Sequence, residues 1–214
     1  MEDQLEQSIT DEEMDILQEV MNIAFGSAAA DLAEVIDIYV VLSVPTIKVM
    51  KTLDLPEYIR SAVKEYDRLS IVEQNFMAKF KGLAILIFPS GIGRALIAML
   101  DKDSESTLES DPVEALERET LLEVGNILVG ACVSKVAELL GDAVIYAPPR
   151  VIVEDLAQDS ISRDLFDPDK LAVTMQTVFH FDGEDMSGLL FLICSNESIG
   201  WLRQALHEFL KQFE

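Results

Sequence analysis

An internal repeat constrains this chain more than any other feature of its sequence. Each copy contains a Glu, an Asn three positions later and a Pro after 22 intervening residues: Glu19, Asn22 and Pro45, then Glu123, Asn126 and Pro149. The two copies stand 104 positions apart. Residues three positions apart on a helix project from the same face, so each Glu/Asn pair is predicted to form one small site. The repeat therefore suggests two copies of one active or binding site.

The repeat continues beyond these frames. Residues 82–88 (GLAILIF) match residues 188–194 (GLLFLIC) at an offset of 106. A two-residue difference in length therefore lies somewhere between the two landmarks. Each half is predicted to be the same ordered unit.

Each unit is predicted to begin with a long helix. Residues 10–13 (TDEE) form a capping box, and apolar residues follow them at helical spacing. The second helix is predicted over 113–140, with Asp111 as its N-cap, Pro112 at its first position and Gly141 as its stop. Small residues in both helices, at 26–30 and 130–132, predict that a neighbouring backbone approaches closely.

Strands are predicted after each long helix. They cover 39–42, 46–50, 69–76 and 77–88 in the first half, then 143–146, 151–153, 171–181 and 186–194 in the second. Residues 182–185 (DGED) have the composition of a hairpin turn. Each half is predicted to close with a helix, at 91–100 and 197–213, and an additional helix at 56–66 is predicted in the first half alone.

The fold class that follows is α/β (α+β). Strands of the GLAILIF type are apolar on both faces and are predicted to be covered on both sides. We therefore expect a single domain over 1–214, with two pseudo-symmetric helix–strand repeats at about 10–101 and 111–214. The repeats are expected to share a central β-sheet with helices packed on it. The polar run 101–106 (DKDSES) is predicted to be the loop between them.

Composition excludes several classes of function. The formal net charge is −23, and no cluster of Lys or Arg interrupts it, so nucleic acid and anionic lipid are poor partners. The apolar runs are too short to span a bilayer, which excludes membrane insertion. The acidic start lacks the features of a signal peptide, and we expect a cytoplasmic protein.

Few residues of the chain suit metal or nucleophilic catalysis. Cys132 and Cys194 have neither metal spacing nor a disulfide framework. The two histidines are predicted at structural positions, His180 in a strand and His207 on the surface of the last helix. The chemistry of the chain is therefore expected to come from the repeated Glu/Asn pairs.

An exposed Glu/Asn pair can orient water and can bind a cation. A carboxamide offers one acceptor and two donors on a short stem, and a carboxylate can pair with a Lys or Arg of another protein. These properties favour water positioning in the active site of a partner, as phosphoryl-transfer chemistry requires. The alternative is that both pairs are solvated helix residues, because a duplication preserves structural residues too. Repetition alone leaves the two interpretations near parity.

The first frame, Asp15-x3-Glu19-x2-Asn22-x22-Pro45, resembles the signature of the CheC/CheX/FliY phosphatases of chemotaxis. The second frame matches the signature except at its first position, where the family has Asp or Ser and this chain has Glu119. The resemblance covers nearly the whole chain.

The resemblance implies a function for each of these residues. Such proteins dephosphorylate the response regulator CheY: Asn22 and Asn126 would orient the attacking water, and Glu19 and Glu123 would pair with the regulator's active-site Lys. Supporting positions would be taken by the remaining signature residues, Asp15, Pro45, Glu119 and Pro149. Glu119 would reduce the activity of the second site at most.

The resemblance also has implications for cofactors and partners. Mg²⁺ would belong to the regulator, so no cofactor bound by this chain is expected. The receptor deamidase CheD is a further expected partner. The alternative function is a non-catalytic module that binds CheD or a response regulator.

Overall fold

The computed structural model describes residues 9–36, 39–66, 68–89, 91–100, 110–155, 170–181 and 186–211. These residues form five α-helices, one short 3-10 helix and eight β-strands. The helices are α1 (Asp11–Ile36), α2 (Leu55–Ala62), α3 (Ile92–Leu100), α4 (Ser110–Leu139) and α5 (Asn196–Leu210). The strands are β1 (Val40–Leu42), β2 (Thr46–Lys51), β3 (Arg68–Met77), β4 (Lys81–Pro89), β5 (Ile145–Tyr146), β6 (Arg150–Asp155), β7 (Leu171–Phe181) and β8 (Met186–Ser195).

All eight strands belong to one sheet, which is antiparallel at each of its pairings. Its centre consists of two hairpins, β3–β4 and β7–β8, joined by the pairing of β4 with β8. In that pairing Ile85 lies opposite Phe191, its counterpart in the repeat. A pseudo-two-fold axis therefore passes between them. The predicted α+β fold, with two repeats sharing a central sheet, is confirmed.

The edges of the sheet are exchanged between the halves. Strands β1 and β2 of the first half pair with β7 of the second, and β5 and β6 of the second half pair with β3 of the first. Each repeat therefore completes the other. The two motif loops, residues 43–45 after β1 and residues 147–149 after β5, each lie against a strand of the opposite half.

Both faces of the central strands are buried, as predicted. On β4, Ala84, Leu86 and Phe88 belong to the larger apolar core, which contains side chains of α1, α3, α4 and α5. Leu83, Ile85 and Ile87 belong to the smaller core, which contains side chains of α2. Full burial of a Leu, Ile or Phe side chain contributes about 1.5–3 kcal/mol, so this strand is a large contributor to folding stability.

The ends of the two long helices agree with the sequence in most respects. The capping box of α1 is present, because Glu13 N donates to Thr10 Oγ1 at 3.2 Å and Thr10 N donates to Glu13 Oε2 at 2.9 Å. Helix α4 ends at a Gly141 with φ of 71°, where Gly141 N and Asp142 N donate to carbonyls of the last turn.

The predicted N-cap of α4 is wrong. The helix begins at Ser110, so Asp111 and Pro112 lie inside its first turn. Proline is accepted there because the first amides of a helix have no intrahelical acceptor.

The break between β3 and β4 also differs from the prediction. Strand β3 continues through Met77, and the reversal follows at residues 78–80. The predicted turn at 182–185, the linker at 101–106 and the end of the last helix beyond residue 211 lie outside the described residues. The strands that flank the predicted turn do pair, with Phe181 opposite Met186.

Candidate functional site

The first Glu/Asn pair lies on the outer face of α1. Asp15, Glu19 and Asn22 are all exposed, whereas Leu17 and Val20 on the opposite side are fully buried. These three polar residues follow at intervals of four and three, which places them on one stripe of the helix.

Helix α4 repeats this stripe. Glu119, Glu123 and Asn126 are exposed, and Leu121 and Val124 face the core. Glu119 therefore has the same exposed position as Asp15 in the other helix. Within the described part of the chain, the side chains of Glu19, Glu123 and Asn22 have no hydrogen bond or ion pair.

The two signature prolines lie where the sheet edge is interrupted. Pro45 is buried and Pro149 half-buried, each immediately before the strand that continues the edge. Two residues before each proline, the chain is held by a backbone hydrogen bond to the opposite half. Ser43 N donates to Val178 O at 2.8 Å, and Ala147 N donates to Asn75 O at 3.0 Å. A proline suits these positions because it has no backbone N–H and therefore loses no hydrogen bond where the sheet edge is interrupted.

Side chains of the opposite half bind the carbonyls of the same two residues. Thr177 Oγ1 donates to Ser43 O at 2.6 Å, and Gln74 Nε2 donates to Ala147 O at 3.1 Å. Thr177 and Gln74 are counterparts in the repeat and both are buried. Each motif loop is therefore fixed to a strand of the other half.

At the second site the buried side chain also reaches the Asn. Gln74 Nε2 donates to Asn126 Oδ1 at 2.7 Å, in addition to its bond with Ala147 O. One carboxamide thus connects the loop before Pro149 with the exposed stripe of α4. Thr177 is shorter and makes no such bond with Asn22.

The distance between helix and sheet also differs between the halves. A Cβ added to Gly125 would lie 2.7 Å from Val72 Cγ1, which shows that the α4 backbone rests on β3 next to Asn126. The counterpart of Gly125 is Met21, which is fully buried in the core. Gln74, two residues after Val72 on the same face of β3, is therefore close enough to Asn126.

The small-residue stretches predicted to permit close approach do so only in part. Ala28 and Cys132 are fully buried, but nothing lies within 4 Å of a Cβ added to Gly26 or Gly130. The close contact occurs at Gly125 instead.

A tyrosine provides a further tie in the second half. Tyr146 OH donates to Gly130 O at 3.2 Å and lies 2.7 Å from Ser134 Oγ, which connects β5 to α4. The corresponding residue in the first half is Leu42, which cannot form such a bond.

Each site helix is tied to another helix by an ion pair, through Glu13 in the first turn of α1 and through Glu117, the eighth residue of α4. Arg203 Nε of α5 donates to both carboxylate oxygens of Glu13, at 2.9 and 3.1 Å. Arg94 Nε of α3 donates to Glu117 Oε1 at 2.7 Å. Burial opposes ionisation of Glu13, but the Thr10 amide and Arg203 more than offset it and lower the pKa of the Glu13 carboxyl.

A second buried carboxylate lies beside Gln74 on the other face of β3. Glu73 is 3% exposed and accepts a hydrogen bond from Arg150 Nη2 at 2.8 Å. Burial raises the pKa of Glu73, and the guanidinium opposes that rise without cancelling it. Since Arg150 directly follows Pro149, this pair is a further tie between the motif loop and β3.

Metal ligands and reactive thiols are not assembled in the described residues. No group of three or more His, Cys, Asp or Glu side chains there is arranged to hold a metal ion. Burial raises the pKa of the Cys132 and Cys194 thiols to about 12, so neither is a nucleophile at neutral pH. His180 lies in β7, and His207 is exposed on α5 with Nδ1 2.7 Å from Arg203 O.

Part of α4 has the length and apolar composition of a membrane-spanning helix. This stretch, Ala115–Leu139, is the one such helix among the described residues, and 56% of its most apolar window is buried inside the protein. Packing against α1 and the sheet accounts for this composition, as in the core helix of a globular fold.

The geometry favours action on another molecule. Exposed carboxylate and carboxamide groups on a convex helix surface can bind a cation and orient water. Each pair would have to be completed by groups of a partner protein. Gln74 and the Ala147 carbonyl, which sequence analysis missed, belong to the second site. The signal for Gln74 was a polar run (EQN) inside a strand otherwise composed for burial.

Comparison with known proteins agrees with this arrangement. Residues 12–49, which contain the first frame, match the model of the CheC-like family. The structure of FliY from Thermotoga maritima is similar, with a TM-score of 0.66 and 21% identity over 96% of this chain and 98% of that chain.

Two complexes contain similar folds at lower identity. A chain of the FliM–SpeE complex from H. pylori has a TM-score of 0.59 and 9% identity over 94% of this chain and 97% of its own. A chain of the CheX–CheY–BeF3–Mg²⁺ complex from Borrelia burgdorferi has a TM-score of 0.51 and 15% identity over 80% of this chain and 96% of its own. The chain is thus similar to the CheC-like family over its first site helix and the strands that follow, and it shares its fold with these structures.

Proposed function

We propose that this protein is a phosphatase for a phosphorylated CheY-type response regulator and acts in chemotaxis signal termination in the cytoplasm. Asn22 and Asn126 orient the water that attacks the aspartyl phosphate, and Glu19 and Glu123 pair with the regulator's active-site Lys. The regulator supplies Mg²⁺, and this chain supplies no cofactor.

The exposure of both Glu/Asn pairs is the observation that carries this proposal. A duplication preserves residues that pack, but substitution of exposed residues away from caps and networks usually changes stability by less than about 0.5 kcal/mol. Neighbouring positions have diverged, as Met21 and Gly125 illustrate. The bond from Gln74 to Asn126 has no counterpart at Asn22, so no structural contact accounts for the retention of both pairs, and a function on the surface does. The known complex of CheX with CheY provides a precedent for the partner.

The test follows phosphate loss from the phosphorylated regulator in the presence of Mg²⁺. We expect Asn22→Ala and Asn126→Ala each to remove one site, and the double substitution to lower the acceleration by about 100-fold or more, because catalysis here depends on positioning. Glu34→Ala is the matched control, since Glu34 is exposed on α1 twelve residues from Asn22, about 18 Å along the helix. All variants should keep the wild-type unfolding transition. A double variant as active as wild type contradicts the proposal.

A non-catalytic interaction module is the second candidate. The fold also occurs in a chain of the FliM–SpeE complex, which favours binding without catalysis as an alternative. CheD and the response regulator are the proposed partners in this case. If the wild-type protein binds the regulator but leaves the rate of phosphate loss unchanged, the interaction module is the correct function.

A further inference from the structure

The carboxamide of Gln74 has one orientation in this structure, and the Ala147 carbonyl sets it. Gln74 Nε2 donates to Ala147 O at 3.1 Å and to Asn126 Oδ1 at 2.7 Å. A flipped carboxamide would place Gln74 Oε1 against the Ala147 carbonyl oxygen, which cannot donate. Gln74 Oε1 is buried and has no hydrogen-bond partner among the residues that the structure describes. The two hydrogen bonds that Nε2 donates therefore hold the side chain in this orientation, although its oxygen accepts none from the described residues.

This orientation determines what Asn126 presents to the surface. Its Oδ1 accepts from a residue that is 2% exposed, so the oxygen faces the sheet. The Nδ2 amide of Asn126 is consequently directed away from the sheet, on a side chain that is exposed. At this site the rotamer and the amide face are selected before any partner binds, which reduces the ordering cost on binding.

The first site lacks this arrangement. Thr177 occupies the position of Gln74, and its hydroxyl bonds to Ser43 O and makes no bond with Asn22. Met21 replaces Gly125, the residue at which α4 rests on Val72. Asn22 is therefore able to present either face of its carboxamide.

We propose that Gln74 is a positioning residue that fixes the carboxamide of Asn126 through the Ala147 carbonyl, so that the second site is preorganised and the first is not. The effect of Gln74 on kcat that this proposal predicts rests on the proposed phosphatase function. Gln74 does not touch the substrate and acts only through Asn126.

A measurement of side-chain order tests the proposal without reference to activity. The NMR order parameter of Asn126 Nδ2 should exceed that of Asn22 Nδ2 in the wild-type protein. Gln74→Met keeps a similar volume and removes the donor, so it should lower the Asn126 value to that of Asn22. Thr177→Val is the matched control in the other half and should leave Asn126 unchanged. Equal order of the two Asn side chains in wild type, or no effect of Gln74→Met, overturns the proposal.

A kinetic measurement then tests the consequence at each site separately. In an Asn22→Ala background, where the second site alone works, Gln74→Met should lower kcat by about fivefold with little change in KM, the scale of one net hydrogen bond. In an Asn126→Ala background the same substitution should have no effect. A fall of equal size in both backgrounds would mean a general structural role and would overturn the assignment. If wild type fails to accelerate phosphate loss, the phosphatase proposal fails, and the order parameters alone decide the role of Gln74.

Discussion

The two halves of this protein agree in the exposed stripes of their site helices and in their central strands. They differ in the residues where the site helix meets the sheet. The exposed stripes of α1 and α4 occupy equivalent positions and differ only by Asp15 against Glu119, and the pairing of the central strands is equivalent too. Between them, Thr177 corresponds to Gln74, and Met21 to Gly125. The comparison teaches that the surface pairs and the sheet geometry were retained while helix–sheet contact was free to change. The two sites therefore have the same groups on different supports.

The equivalence of the two central hairpins predicts the largest effects on stability. Gly82 and Gly188 are counterparts, each beneath a Phe of the neighbouring strand. A Cβ on Gly82 would collide with Ile193 O, and one on Gly188 would lie 2.6 Å from Ile87 O. Since backbone atoms cannot move aside without disturbing the sheet, we expect each Gly→Ala substitution to lower the free energy of unfolding by about 3 kcal/mol.

Urea unfolding of the two variants measures this effect. Gly200→Ala serves as the control, because nothing lies within 4 Å of its added Cβ and the residue is inside α5, where Ala is favoured by up to about 1 kcal/mol. A loss at only one of Gly82 and Gly188 would break the equivalence of the two hairpins.

The difference in helix support predicts a smaller effect that is confined to the second half. Gly125→Ala should cost about 2 kcal/mol, because the added Cβ meets the stiff side chain of Val72. It should also move α4 away from Gln74 and loosen Asn126. Gly130→Ala on the same helix has open space around it and should be stabilising or neutral. Equal behaviour of the two variants in thermal unfolding would contradict the close seating of α4 at Gly125.

The ion pairs of Glu13 and Glu117 predict an effect that depends on pH. The side chain of Glu13 is 5% exposed and that of Glu117 is 23% exposed, with Arg94 mostly in solvent. At pH 7 we expect Glu13→Gln to cost about 1.5 kcal/mol and Glu117→Gln less than about 0.5 kcal/mol. The pKa of Glu13 is lowered from its ordinary value near 4.5. Its contribution is therefore present above that value and is lost as the pH falls through the folded-state pKa.

Urea midpoints between pH 7 and pH 3 provide the measurement. Wild type should lose stability with falling pH more steeply than Glu13→Gln, and the two curves should converge at the acid end. Parallel curves would show that Glu13 is not the group responsible. Glu117→Gln, the matched variant in the other half, should leave the stability at pH 7 nearly unchanged.

Much of the fold could be predicted from the sequence because its signals are local. The capping box at Thr10, the stop at Gly141 and the apolar strands all depend on neighbouring residues, and the structure contains them. The start of α4 was misjudged because Asp111 and Pro112 suit the first turn of a helix as well as its cap.

The contact of Gln74 with Asn126 could not be predicted, because it joins residues 52 positions apart across the two halves. Its counterpart could not be aligned either. The offset between the halves is 104 at the Asn residues, 103 at Phe76 and Phe179, and 106 at the glycines opposite them. Relative to the first half, the second half therefore has one residue fewer before β7 and three residues more in the β7–β8 hairpin. Together these changes give the two-residue difference seen in the sequence. Only the strand register shows that Thr177 corresponds to Gln74.

The smallest expected effect concerns the one signature position at which the two frames differ. Glu119 has the same exposed place on α4 that Asp15 has on α1, and both carry a carboxylate one turn before the Glu of the pair. In an Asn22→Ala background we expect Glu119→Asp to change phosphatase activity by less than about twofold, because exposed charges with no fixed partner contribute little. Asp15→Glu in an Asn126→Ala background should be equally mild. If Glu119→Asp instead changes kcat more than Gln74→Met does, the inequality of the two sites originates in their exposed stripes rather than in their support from the sheet.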